Sequence, residues 1–103
     1  MTPGEVVDQM SIPVRSMKSF LRTLATAEEA YFVEQAHYAN RMVDLPIKLR
    51  QDISIVSLTV LPDGRSWSAI VTHARLPNVR CGVAIRTRNP LDESADEAVP
   101  FCR

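Results

Sequence analysis

Few residues in this chain are equipped for chemistry, and they do not gather into one constellation. Ser66 and Ser68 lack the Gly-x-Ser-x-Gly elbow that presents a serine nucleophile. His37 and His73 stand alone, and His73, at the end of a strand pattern, reads as a surface or hydrogen-bonding residue. Glu28 and Glu29 are neighbours in a helical stretch, where adjacent side chains point about 100° apart. They therefore do not converge as a catalytic pair. Glu28 is expected to be partly buried and to bond backbone groups beyond the helix or a basic residue on a neighbour. Asp92, Glu93, Asp96 and Glu97 supply enough oxygens for Ca²⁺. They lack the Asp-x-Asp-x-Asp-Gly spacing, so a solvated loop is the competing reading. Arg75, Arg80, Arg86 and Arg88 make one end of the sheet basic. Without interleaved aromatic residues they form no stacking platform for nucleic acid, and pairing with a neighbour's acidic loop explains them equally well. No catalytic group, cofactor or metal ligand is expected, and the chain does not read as an enzyme.

The two cysteines, Cys81 and Cys102, fit a bridge formed in an oxidising compartment. The alternative is a pair of free thiols in a cytosolic protein. The stretch 87–101, TRNPLDESADEAVPF, has little with which to order itself, and this favours a tether. Closing it would stabilise the fold by roughly 3 kcal/mol on the chain-entropy account.

A long helix has to organise these parts. Val14 to Ala39 contains neither Gly nor Pro and reads as one helix of about seven turns. Met17, Phe20, Leu21, Leu24, Ala27, Tyr31 and Tyr38 share one side at 100° per residue, with Met42 continuing the line. That stripe is wide enough to cover a sheet. Arg15, Lys18, Arg22, Thr26 and Glu29 lie opposite. Val33 sits within the polar side, flanked by Ala30 and Ala36. It reads either as a tolerated surface valine or as part of a second face that meets another subunit. Upstream, Thr2, Pro3 and Glu5 make a capping-box pattern, so the helix starts near Pro3 and bends at Pro13, or begins at Pro13 after a tail. Arg15 and Lys18 near that start oppose the helix dipole, which favours a helix continuing further back.

Beyond the helix, Asn40 is the expected cap and Pro46 blocks continuation. Leu45, Ile47 and Leu49 are expected to fill gaps beneath the helix. Ile53 to Leu61 reads as a strand with Val56, Leu58 and Val60 inward. Pro62-Asp63-Gly64-Arg65 is a hairpin turn. Ser66 to His73 follows with Trp67, Ala69 and Val71 on one face. Ala74 to Val79 reads as a loop, and Arg80 to Arg86 as a third strand with Cys81, Val83 and Ile85 together. The expected fold is α+β: a long N-terminal helix on a three- to four-stranded antiparallel meander with a disulfide-tethered C-terminal loop. Residues 1–12 would be an extension or tail and 13–103 a single domain, in keeping with 103 residues of which 46% are hydrophobic. Twelve basic and twelve acidic residues cancel. The chain thus lacks the basic excess of a nucleic-acid surface, and a neutral chain associates with copies of itself more readily than a charged one. No apolar run reaches the roughly 18–20 residues that span a bilayer, and residues 1–11 lack a secretory signal.

The order of these parts resembles the globular half of a bacterial type IV pilin or pseudopilin. Ser16 to Phe32, SMKSFLRTLATAEEAYF, is similar to a "MKSDLRNLATAQEAYF"-like run in that family's helix. His37-Tyr38-Ala39 falls at its helix-closing step. Trp67-Ser68-Ala69 through Thr72-His73, then Cys81-Gly82-Val83, resembles its aromatic-Ser-Ala strand ending in Thr-His and its Cys-Gly strand. Pro100-Phe101-Cys102 resembles its closing Pro-x-Cys. The likeness covers residues 13–103. It departs at the start: the family opens on a long apolar segment with Phe-Thr-x-x-Glu. Here Thr2 and Glu5 keep that spacing, but Pro3, Gly4, Asp8 and Gln9 interrupt the apolar run. A removed membrane segment or a shortened relative is the expectation, and the family's core packing is not carried over. The resemblance implies a structural subunit of an extracellular, cell-surface filament, periplasm-facing before assembly. Its partners would be copies of itself or sister pilins, meeting through Ala30, Val33 and Ala36, with the inner membrane reached only through a segment upstream. A pseudopilin or minor pilin of a secretion or DNA-uptake machine is the alternative. A small α+β binding domain with free thiols is the reading outside the family.

Overall fold

The structure, a computed structural model, describes residues 12–103. The expectations for Thr2, Pro3 and Glu5, and for a tail over 1–12 up to Ser11, lie outside the described residues. One helix, α1 (Ile12–Gln35), precedes four strands: β1 (Ile53–Val60), β2 (Trp67–His73), β3 (Leu76–Ile85) and β4 (Phe101–Cys102). The strands form one antiparallel sheet in the order β1-β2-β3-β4. The class is α+β, with α1 lying against β2 and β3.

The helical stripe is what joins the two layers. Val14, Met17, Phe20, Leu21, Leu24 and Ala27 are buried, and opposite them lie Trp67, Ala69, Val71, Cys81 and Val83. Each fully buried Leu or Val contributes about 1.5–3 kcal/mol relative to exposure. Tyr31, at the edge of the stripe, is half-buried.

The helix is shorter than its sequence suggests. It stops at Gln35 because Ala36 turns to φ 63°, after donating a last bond to the Phe32 carbonyl at 2.8 Å. Asn40 therefore does not cap it. Tyr38 does not belong to the helical stripe either. It is buried in the turn beyond the helix, its ring 4.7 Å from Phe32 and 6.2 Å from Trp67. The connector carries a short 3₁₀ turn, Met42–Asp44. Leu45 is buried and Ile47 half-buried, whereas Leu49 is exposed and fills nothing beneath the helix.

β1 corrects a second expectation. Its pairing with β2 skips Val56, between Ile55↔Val71 and Ser57↔Ile70. A bulge of one residue exchanges the two faces of a strand. Ile53 and Ile55 thus face α1 on one side of the bulge and Leu58 and Val60 on the other, while Val56 is exposed. The stretch 74–79 is not a loop throughout: Ala74 and Arg75 make a tight turn, and β3 starts at Leu76. Pro77 is tolerated there because the ladder jumps from His73↔Leu76 to Thr72↔Arg80 and asks no hydrogen bond of it.

The chain closes on Cys81–Cys102, the disulfide, between directly opposed residues of β3 and β4. Arg80 and Arg103 exchange both backbone bonds, at 3.0 and 2.8 Å, so the cysteines form the adjacent non-hydrogen-bonded pair, where side chains approach most closely. The loop between β3 and β4 covers the rest of that edge. Buried Asn89 donates to the Gly82 carbonyl at 3.0 Å, and the Ala98 N–H reaches the Ala84 carbonyl at 2.9 Å.

Candidate functional site

The carboxyl end of α1 concentrates the polar groups that the core had to accommodate. Glu28 is fully buried, and its Oε1 accepts the Ala39 N–H at 2.7 Å. Its other oxygen has no partner among the described residues. Burial, only partly offset by the Ala39 bond, pushes its carboxyl up to about 7, and Glu29 next door adds to the shift. Tyr38 donates its hydroxyl to Glu29 at 2.7 Å. Desolvation and that carboxylate raise the phenol to about 12, so it stays protonated. The Tyr38 N–H meets the Gly64 carbonyl at 2.9 Å, which ties the turn after the helix to the β1–β2 hairpin. Gly64 is needed there: it sits at φ 73°, and a Cβ would come within 2.8 Å of the His37 Cβ.

Two clefts flank this end of the helix. One of about 380 Å³ lies between Tyr31, His37 and the hairpin residues Leu61 to Gly64. The other, of about 460 Å³, runs between α1 and the arm that follows it, lined by Ala27, Ala30, Tyr31, Val43, Leu45 and Pro46. Its charged members are Glu34 and Asp44. Arg41 already engages Asp44 at 3.2 Å, whereas Glu34 has no cation among the described residues. Val33, beside this groove on the outward side, is 82% exposed, and Val43 on its far lip is 81% exposed. Ala30 and Ala36 are exposed as well, so all three residues of the expected contact face lie at the surface. The arm, with Val43 and Pro46, and the free Glu34 did not stand out in sequence. The signal was there in an apolar Met42-Val43 step between Asn40 and Pro46, in a connector short enough to stay against the helix.

The remaining candidates resolve into local pairings. His73 is buried; its Nδ1 accepts the Arg75 N–H at 3.0 Å, so Nε2 carries the proton and donates to Asp52 at 3.1 Å. With both ring nitrogens engaged, it has none left to take a proton from a nucleophile. In the acidic loop, Asp92 accepts both the N–H and the hydroxyl of Ser94, which lowers its carboxyl below the usual range. Glu93 pairs with Arg88 at 2.9 Å, and Glu97 accepts the Arg86 N–H. These carboxylates, with Asp96, do not converge, and among the described residues no cluster of His, Cys, Asp or Glu is placed to hold a metal ion. The Arg86 guanidinium lies 5.6 Å from the Phe32 ring centre. Among the described residues no helix is long and apolar enough to cross a membrane.

No protein-family model, curated protein or solved structure matches this chain.

Proposed function

We propose that this chain is a structural subunit of an extracellular filament of the type IV pilus kind, packing against copies of itself or sister subunits. The observation that carries this reading is the two-sidedness of α1. One side is buried against a sheet whose last strand is closed by a disulfide. The other presents Ala30 and an 82%-exposed Val33 to the outside. A large apolar side chain at that exposure contributes nothing to its own domain; against a neighbour it would bury area at about 25 cal/mol per Å². The bonded cysteines fit an oxidising compartment. They also remove the free thiols on which the reading as a cytosolic binding domain relied. The sequence likeness to the pilin helix, over Ser16 to Phe32, adds to the same reading.

The test is immunogold electron microscopy of native cells producing the full-length gene product. Label along surface fibres is the expected result. Label confined to single molecules, with no fibre and no co-assembling sister, would remove the reading. Surface abundance then separates a bulk subunit, which is plentiful, from a rare tip or secretion-machine subunit.

A further inference from the structure

Residues 36–40, the turn that follows α1, belong to no helix or strand. Glu28 accepts the Ala39 N–H, Glu29 accepts the Tyr38 hydroxyl, and the Gly64 carbonyl accepts the Tyr38 N–H. The first two of these acceptors are side chains of α1 that titrate. Ala36, at the head of the turn, sits at φ 63°, so the turn has backbone strain to release when those bonds go.

Glu28 is placed so that its own charge bears on whether the turn stays. It is fully buried, and its Oε2 has no hydrogen-bond partner among the described residues. A neutral carboxyl tolerates that setting. A carboxylate does not, because one N–H cannot replace the hydration of a full charge. Glu29 adds repulsion, and His37 of the turn opposes it only when itself charged. The other groups brought to this end of the helix do not neutralise it. Tyr38 stays protonated, and Arg86, at the end of β3, acts on Tyr38. From β2 comes Trp67, whose Nε1 makes no hydrogen bond among the described residues. In the hairpin, Asp63 accepts the Arg65 N–H. The way to water is through the turn. Tyr38 and Ala39 are each 2% exposed, and both line the open cleft of about 380 Å³. Lifting them from the hairpin hydrates the carboxylate and leaves the sheet ladder and its disulfide intact.

From this we infer that Glu28 is a proton-operated latch on the turn after α1. Protonated, it holds residues 36–40 shut against the β1–β2 hairpin; ionised, it lets them lift while the sheet stays folded. The inference does not rest on the subunit reading. The sign follows from linkage. The carboxyl moves from 4.5 when solvated to about 7 when enclosed. The closed turn is therefore favoured most below pH 4.5, loosens as pH rises to 7, and levels off above.

The experiment is amide hydrogen exchange read by NMR at pH 4.5 and pH 7, each rate divided by that of an unstructured amide at the same pH. The Tyr38 and Ala39 amides are expected to exchange at least about tenfold faster at pH 7 than at pH 4.5. At pH 7 they are expected to exchange faster than the amides of the central strand β2. Low urea should speed the β2 amides and leave Tyr38 and Ala39 unchanged, because a local opening exposes little surface. Glu28→Gln should remove the pH effect. His37→Gln, a change at an exposed position, should keep it, which separates the carboxyl from the imidazole. The wild-type and His37→Gln results decide the matter even if Glu28→Gln does not fold. Equal exchange of the turn and β2 at both pH values would overturn the latch, since the turn would then open only with the whole domain. So would the absence of a rise in the wild type, a rise that persists in Glu28→Gln, or one that disappears in His37→Gln.

Discussion

Glu28 is the side chain whose environment departs furthest from its nature, and its consequence can be measured. The carboxyl has an ordinary value of 4.5 and rises to about 7 in the folded chain. Folding therefore favours its neutral form. The stability this contributes is fully present below pH 4.5 and is lost as pH rises through 7, by on the order of 2–3 kcal/mol. Glu28→Gln keeps an oxygen for the Ala39 N–H but has no proton to lose. Urea denaturation at several pH values should show the decline between pH 4.5 and 7 flattened in this variant. An undiminished slope would place the titration elsewhere. The presence of a polar residue on the buried stripe was legible in sequence, and so was its reach to backbone beyond the helix. Its partner was not, because which N–H arrives there depends on how the chain turns after Gln35, a matter of tertiary contact.

At the scale of elements, the end of α1 is set by the hairpin it touches more than by its own residues. Ala36 is a strong helix former, yet it sits at φ 63°, a conformation that costs a non-glycine residue about 1–2 kcal/mol. The Tyr38–Gly64 and Ala39–Glu28 bonds hold it there. Propensity alone carried the helix on to Ala39, and no local signal could have stopped it. Ala36→Gly should stabilise the chain by about 0.5–1 kcal/mol, read as a raised Tm. Gly64→Ala meets both a positive φ and the His37 Cβ, and should destabilise by roughly 2 kcal/mol or more. The strands were legible from alternation, as with Trp67, Ala69 and Val71. The Val56 bulge was not, because Ile53 to Val60 is apolar enough to satisfy either register. The closing cysteines were legible from the disorderly composition of the loop between them. Reducing the bond, or Cys81→Ser/Cys102→Ser, should cost about 3 kcal/mol and leave the β3–β4 edge open to hydrogen exchange.

In the whole molecule α1 has two distinct sides. Its buried side secures the domain, and its outer side, with the 82%-exposed Val33, is the face we propose meets another chain. The groove-forming arm left only a faint trace in sequence, the Met42-Val43 step before Pro46, because Val43 acquires meaning only when the connector lies beside α1. The central claim, that the outward face of α1 is a subunit contact, is tested most directly at Val33. Cells producing the full-length product are imaged by electron microscopy with and without Val33→Glu, and labelled fibres are counted. Abundant fibres from the wild type and nearly none from the variant, with both chains present at equal level and equally folded, is the predicted result. Fibres of equal number and length from both, or none from either, would contradict it.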